Sequence, residues 1–137
     1  MTTPIPGIKN VEIIERIFGC WPSFHDAEVH RLAITRGGGD GPEMDITIHH
    51  WEMTNEVDAR GYYTLRHHTL TTLRFSGVQT LQLDGFHYQN VLFELEISEC
   101  EPGAPCRYFV GMPGSTGFDA SFGCNEIHVL SAEPYQN

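Results

Sequence analysis

Nine consecutive residues, Trp21 to Val29, bring two aromatic rings, an imidazole and two carboxylates into one short connection. His25, Asp26 and Glu28 are residue types that serve in general acid–base catalysis. In an extended chain, side chains two positions apart lie on the same face, so the two carboxylates would be neighbours. This stretch is therefore the first candidate site of the chain.

The same stretch also has a purely structural interpretation. A short helix is predicted to end just before it and the first strand to begin just after it. Asp26 could accept backbone N–H groups at this corner, Trp21 and Phe24 could plug the end of a sheet core, and Pro22 would stiffen the bend. A third interpretation is that the corner contacts a partner. Composition alone does not decide between the catalytic, the structural and the partner-contact interpretation.

Histidine is abundant, with eight residues that include the doublets His49-His50 and His67-His68. A zinc site needs three or four ligands that converge at about 2 Å. No His-Glu-x-x-His, His-x-His or Cys-x-x-Cys motif is present, and in a strand each doublet sends its rings to opposite faces. Four side chains could still converge if their strands were neighbours: His25, Asp26, His50 and His68. We predict no metal and no cofactor, but a metal-binding protein that uses these residues is an alternative.

Nucleophilic catalysis is a weaker alternative. Ser23 and Cys20 lie close to His25 in the sequence, and a hydrolase needs a nucleophile beside a base. Neither residue sits in a Gly-x-Ser-x-Gly elbow. We therefore assign no catalytic residue.

The charge of the chain is strongly negative. Eighteen acids against eight Lys and Arg residues give a formal net charge of −10, beyond the magnitude of about 2–8 usual for a small domain. Such a surface would repel a phosphate backbone, so we expect no nucleic-acid partner. It would attract a basic protein, although solubility alone could also explain it.

The four cysteines form no Cys-x-x-Cys pair, and residues 1–7 show no signal-peptide pattern. We therefore expect free thiols in a reducing cytoplasm. A bridge between Cys100 and Cys106 stays open as a minor alternative. No apolar run approaches the roughly 20 residues that span a bilayer, so no membrane association is predicted.

The periodicity of apolar residues predicts one short helix followed by strands. Asn10 is the expected N-cap, Val11, Ile14 and Phe18 share a helical face, and Gly19 supplies the left-handed stop. The helix is too short to persist alone in water. We expect it to dock on the apolar face of a sheet.

From Glu28 the pattern changes to a period of two. Met44, Ile46 and Ile48 are predicted to face inward, with His50 in and His49 out. Further strands are expected at 28–34, 62–75, 81–83, 91–97, 107–112 and 127–129, with loops at 52–61 and 112–123. The strand 62–75 should contain a bulge near His67-His68. The strand 91–97 shows the clearest alternation, with Val91, Phe93, Leu95 and Ile97 inward. The fold class is therefore α+β: an N-terminal short helix and then a curved, mostly antiparallel sheet meander. We expect residues 1–137 to form a single domain.

Carboxylates recur on the predicted outward faces. Glu43 and Asp45 would share an acidic face with Glu94 and Glu96 if their strands lay in one sheet. The polar loop after the second strand would extend this face along an edge. Its members are Glu52, Glu56 and Asp58, flanked by the aromatic anchors Trp51, Tyr62 and Tyr63.

Three segments resemble the bacterial immunity-protein family numbered 50. The segment Gly19–Val29 resembles the opening motif of that family, and Leu73–Val78 and Leu81–Asn90 resemble its later segments. The resemblance covers roughly residues 10–98. The motif positions that carry over are Trp21, Phe24, His25, Asp26 and Glu28.

The resemblance implies a small cytoplasmic protein that binds and blocks a toxin encoded beside it, with no catalytic residues. Together with the charge, it leads us to expect a non-enzymatic protein whose partner is a basic toxin domain. A homodimer through an apolar edge strand is also possible on this sequence. The predicted contact residues are Trp21, His25, Asp26, Glu28, Trp51, Glu52, Glu56 and Asp58.

Overall fold

A computed structural model describes residues 5–136, which form one helix and eight strands in that part of the chain. The elements are α1 (Glu12–Phe18), β1 (Glu28–Thr35), β2 (Glu43–Val57), β3 (Tyr63–Ser76), β4 (Gln79–Asp84), β5 (Glu96–Glu99), β6 (Tyr108–Pro113), β7 (Asp119–Cys124) and β8 (Glu126–Pro134). The predicted α+β class with antiparallel pairing is confirmed. The strands, however, divide into two sheets rather than one.

The first sheet has the strand order β1-β2-β3-β8 and the second has the order β4-β7-β6-β5. Each sheet buries one face. Met44, Ile46 and Ile48 are fully buried in β2, as their alternation predicted. The Phe75 ring of the first sheet meets the Phe122 ring of the second edge-to-face, with ring centroids 5.0 Å apart. The buried apolar side chains of both sheets form one cluster.

The helix ends as predicted but begins differently. Gly19 is left-handed with φ 78°, and its N–H donates to the Glu15 carbonyl at 2.8 Å. Val11, not Asn10, is the N-cap, and no side chain caps the helix. Asn10 has a positive φ and its amide instead reaches the Val129 carbonyl at 3.5 Å, so the residue ties the chain to β8.

Three predicted boundaries were wrong. The expected loop at 52–61 is mostly strand, because β2 continues to Val57. The expected loop at 112–123 contains β7. The expected strand at 91–97 crosses from one sheet to the other, and only its end belongs to β5. Along this crossing the buried residues are Leu92 and Leu95, three positions apart, whereas Phe93 is exposed.

Strands β2 and β3 extend beyond the rest of the first sheet. Pairing with β1 ends at His49, and pairing with β8 ends at Thr69. The remaining two-stranded ribbon, residues 51–57 and 63–68, is called the arm below. The register shifts where it begins, and His67 has φ 57°, so the predicted bulge is confirmed.

No helix among residues 5–136 is long and apolar enough to span a membrane. We expected no signal peptide in residues 1–7, and residues 1–4 of this segment lie outside the described residues.

Candidate functional site

The stretch between the helix and β1 forms a tight corner, residues 21–27. Trp21, Phe24 and Ala27 are buried, and the first two rings pack edge-to-face with centroids 5.7 Å apart. Their burial matches the structural interpretation of this stretch. Ser23, His25 and Asp26 alternate with them and are exposed. The corner therefore contributes buried side chains to the core and exposes polar side chains to solvent.

The backbone of the corner is held in an unusual conformation. Phe24 and Asp26 have φ values of 62° and 63°, a region that L-residues rarely adopt and that is most unusual for a bulky aromatic. Main-chain pairing with the crossing segment holds it there: the Asp26 N–H donates to the Leu92 carbonyl at 2.9 Å and the Leu95 N–H to the Ser23 carbonyl at 3.1 Å. Strained backbone that is held by its surroundings is common at functional sites.

Asp26 and Glu28 do not form the predicted carboxylate pair. The positive φ of Asp26 means that the chain is not extended there. The Asp26 carboxylate lies 3.5 Å from His25 Nε2, whereas the Glu28 carboxylate lies 3.6 Å from His30 Nε2. Within residues 5–136 no backbone N–H donates to the Asp26 carboxylate. The corner is held by main-chain hydrogen bonds instead of by the predicted bonds to this carboxylate.

His25 is oriented by two hydrogen bonds. Its Nδ1–H donates to the Phe93 carbonyl at 2.7 Å, and its backbone N–H donates to Ser23 Oγ at 3.2 Å. Its side chain is nevertheless 64% exposed and that of Asp26 is 56% exposed. His25 is therefore presented to solvent in a fixed orientation, with the Asp26 carboxylate beside it.

Two cavities flank the corner and share Pro22 and Ser23 as a wall. The smaller, of about 250 Å³, lies between the corner and the base of the arm and is also lined by His25, Asp26, Trp51 and Met53. The larger, of about 420 Å³, lies along the crossing segment and is lined by Glu94 and Glu96 among others. Among the described residues, no Lys or Arg lines either cavity.

Exposed apolar side chains lie beside these acids. Met53 is 56% exposed and Phe93 is 54% exposed. Trp51 is half-buried, and its ring lies 5.0 Å from that of His49 and 5.7 Å from that of His68. We call the following set the corner surface: Ser23, His25, Asp26, Trp51, Met53, Phe93, Glu94 and Glu96. Met53 and Phe93 were missed as site candidates, because Met53 lies beyond the register shift that breaks the alternation of β2 after His50 and Phe93 was predicted to face inward.

The arm acids predicted from the sequence are not equivalent. Glu52 is paired with Arg66, whose Nε–H donates to its carboxylate at 2.8 Å. Asp58 accepts the backbone N–H groups of Arg60 and Tyr62 at 2.8 and 3.0 Å and so shapes the arm turn. Glu56 is exposed.

The two rings of a histidine doublet point to opposite faces of the sheet, as strand alternation predicted. His50 is buried between the rings of Phe18 and Phe24, with centroids 4.7 and 4.6 Å away, and its Nε2 shares a 2.6 Å hydrogen bond with Thr71. Burial, followed by the neighbouring charge of His49, lowers the pKa of His50 to about 3. Its Nδ1 has no hydrogen-bond partner among the described residues.

His49 and His68 lie on the opposite face of the sheet. Their rings share a 3.0 Å hydrogen bond between Nε2 and Nδ1. Burial, then the charges of His68 and His30, lowers the pKa of His49 to about 4. His25, Asp26 and His50 line the smaller cavity, but His68 lies with His49 on the other face of the sheet, so the four predicted residues do not converge. Within residues 5–136 no group of three or more His, Cys, Asp or Glu side chains is placed to hold a metal ion.

The acidic residues are mostly unneutralised. Of the eighteen acids, only Asp45, Glu52 and Glu126 lie within ion-pair distance of a Lys or Arg in the described part of the chain. The predicted single acidic face was wrong, because Glu43 and Asp45 belong to the first sheet and Glu96 to the second. The acids without a cationic neighbour at the corner surface are instead Asp26, Glu94 and Glu96.

The corner surface therefore combines an oriented histidine, exposed apolar side chains and acids without a cationic neighbour around two cavities. The family model described as Immunity protein 50 matches residues 10–135, and the chain belongs to that family. The match extends beyond the roughly 10–98 indicated by the motifs. Searches against curated proteins and against solved structures found no match.

Proposed function

We propose that this immunity-type protein binds a basic toxin domain at the corner surface and blocks it without chemistry of its own. Membership of the immunity family is the observation that carries the proposal. The toxin would be the product of a neighbouring gene, and the complex would form in the cytoplasm of the producing cell. A homodimer stays a prediction.

Charge supports the corner surface as the docking site. Asp26, Glu94 and Glu96 surround two cavities that no Lys or Arg lines among the described residues. A Lys or Arg of the toxin could enter either cavity and meet a carboxylate there. Charge complementarity of this kind raises the association rate and rejects wrong partners.

Charge alone does not produce tight binding, because affinity depends on a few well-packed anchors. Met53 and Phe93 supply such exposed anchors next to the acids. Trp51 lines the smaller cavity, although its ring packs beside those of His49 and His68, and we propose it as a further contact. Trp21 is only 5% exposed, so its side chain supports the corner from beneath and we leave it out of the contact surface. Glu52, Glu56 and Asp58 lie further out on the arm and would contact the toxin only at the rim.

The alternative in which His25 and Asp26 act with the histidine doublets has less support. His25 and Asp26 lie together, but His50 is enclosed by aromatic rings and His68 faces the other side of the sheet. A blocking protein and an enzyme also differ in stoichiometry. Protection of the target should saturate at one chain per toxin domain for a blocker, whereas an enzyme would protect at far lower ratios.

The test first looks for a secreted protein encoded immediately upstream and then uses the C-terminal domain of that protein as the toxin domain. That domain should co-purify with this chain at low and moderate salt and should lose its toxicity at equimolar ratio. Absence of a complex at every salt concentration would contradict the proposal. The substitutions that locate the binding surface are given in the Discussion.

A further inference from the structure

Two cysteines face each other across the turn between β5 and β6. The Sγ atoms of Cys100 and Cys106 are 3.3 Å apart, and neither is bonded to another sulfur. A disulfide has an S–S distance of about 2.05 Å, so a small movement would bring the atoms to bonding distance. Both side chains are half-buried, and an open cavity of about 390 Å³ adjoins them. Small oxidants can therefore reach the pair.

The turn holds the two thiols in place. The Ala104 N–H donates to the Glu101 carbonyl at 3.0 Å, and Gly103 has φ 90°. Proline followed by a residue with positive φ is the pattern of a type II turn, and Pro102 precedes Gly103. The Cys100 N–H donates to the Arg107 carbonyl at 2.8 Å, which closes the base of the hairpin.

A glycine on the neighbouring strand makes room for one of the thiols. A Cβ atom at Gly123 would lie 2.6 Å from Cys106 Sγ and 3.2 Å from its Cβ. Real atoms do not approach so closely, so any larger residue there would displace Cys106. The position of the Cys106 thiol beside Cys100 thus depends on the missing side chain at Gly123.

We propose that Cys100 and Cys106 form a reversible intramolecular disulfide when the protein meets a peroxide, a property separate from toxin binding. One thiolate attacks the peroxide O–O bond and becomes a sulfenic acid, with one water molecule released. The neighbouring thiol then attacks that sulfur, the S–S bond forms and a second water molecule leaves. Two thiols are oxidised and one peroxide is reduced to two waters.

The other two cysteines are unsuited to this reaction. Cys124 is fully buried, so a small oxidant does not reach its thiol, and burial is the main cause that raises the pKa of that thiol to about 12. The pKa of Cys100 is also raised, first by its hydrogen bond with Cys106, so accessibility and the neighbouring thiol, rather than acidity, distinguish the pair. Cys20 is half-buried, and its thiol contacts the Phe18 carbonyl at 3.9 Å. Cys20 therefore serves as an internal control for an accessible thiol without a neighbouring one.

The test exposes the full, reduced chain to an equimolar amount of hydrogen peroxide and then alkylates the remaining thiols. Intact mass and peptide mapping should show that Cys100 and Cys106 escape alkylation together, that the 100–106 segment loses the mass of two hydrogens, and that dithiothreitol restores both thiols. Cys100→Ser and Cys106→Ser should stop at a sulfenic acid that dimedone traps, whereas Cys20→Ser should behave as wild type.

Gly123→Ala should slow disulfide formation by about tenfold or more if it displaces the Cys106 thiol, provided that circular dichroism shows a folded chain. Unchanged alkylation of Cys100 and Cys106 after peroxide treatment would overturn the proposal, as would cross-links that join different chains. The cysteine-to-serine variants decide the matter even if Gly123→Ala fails to fold.

Discussion

Strands β2 and β3 behave differently on the two sides of the bulge at His67. On the sheet side, every second residue from Met44 to His50 is buried, as are Leu73 and Phe75. On the arm side, the same two strands are largely exposed. The arm has no β1 or β8 strand beside it. At its base the Tyr135 N–H donates to the His68 carbonyl at 2.9 Å, and beyond that point the two strands are paired only with each other. Core packing is therefore confined to one half of the hairpin, and the other half is mostly exposed.

The largest predicted effect is a difference in the loss of stability between substitutions at two leucines of β3. Leu73 is 0% exposed and Leu65 is 41% exposed. Leu73→Ala should lower the free energy of unfolding by about 2–5 kcal/mol, whereas Leu65→Ala should lower it by less than about 1 kcal/mol. Urea unfolding monitored by circular dichroism gives both values. Equal losses would mean that the arm is as much a part of the core as the sheet.

The pH dependence of the free energy of unfolding should test the burial of His50 on the sheet side of β2. His50 is neutral in the folded chain because its pKa is lowered to about 3, but the unfolded chain takes up a proton on it below about pH 6.5. As the pH falls from 7 to 5, His50 alone should therefore lower the free energy of unfolding by about 2 kcal/mol. His49, whose pKa is lowered to about 4, should add a loss in the same direction. His50→Gln should remove the His50 part of the pH dependence.

A pH profile of unfolding that is identical in wild type and His50→Gln would contradict the burial of a neutral imidazole at this position. The comparison uses each variant's own stability at pH 7 as its reference, so any loss from the substitution itself does not enter.

Exposed apolar residues near the base of the arm should affect binding rather than folding. Met53→Ala and Phe93→Ala should each weaken the toxin complex by about 1–2 kcal/mol, or roughly 5- to 30-fold. Neither should change the unfolding transition by more than about 1 kcal/mol. Tyr88→Ala is the control, because this tyrosine is 91% exposed and lies outside the corner surface. Isothermal titration calorimetry measures the affinities, and equal effects at Tyr88 and Phe93 would exclude a localised surface.

Sequence patterns predicted the parts of the fold that have one buried and one exposed face. The alternation at Met44, Ile46 and Ile48 indicated both strand and orientation, and the length of 62–75 indicated a bulge. The β3 half of the arm fell within the predicted strand 62–75, but the β2 half was missed because a ribbon exposed on both faces has no apolar alternation. Residues 91–97 gave a convincing alternation, but tertiary contacts at Leu92 and Leu95 overrode it where the chain changes sheets.

The candidate site was predictable only in part. The composition of residues 21–29 marked the corner, and burial of Trp21 and Phe24 follows from their aromatic character. The cavities on either side depend on the base of the arm and on the crossing segment, which are distant in sequence. The proximity of Phe93 to His25 and of Cys100 to Cys106 follows from backbone geometry that no short motif specifies.

The most direct measurement compares the affinity of two doubly neutralised variants for the toxin domain at two salt concentrations. Asp26→Asn with Glu94→Gln removes two charges from the corner surface, and Glu12→Gln with Asp40→Asn removes two exposed charges elsewhere. We predict that the corner variant binds several-fold more weakly, through a slower association rate, and that its affinity depends less on salt, while the control variant stays close to wild type. Equal weakening by both variants would contradict a localised acidic docking site.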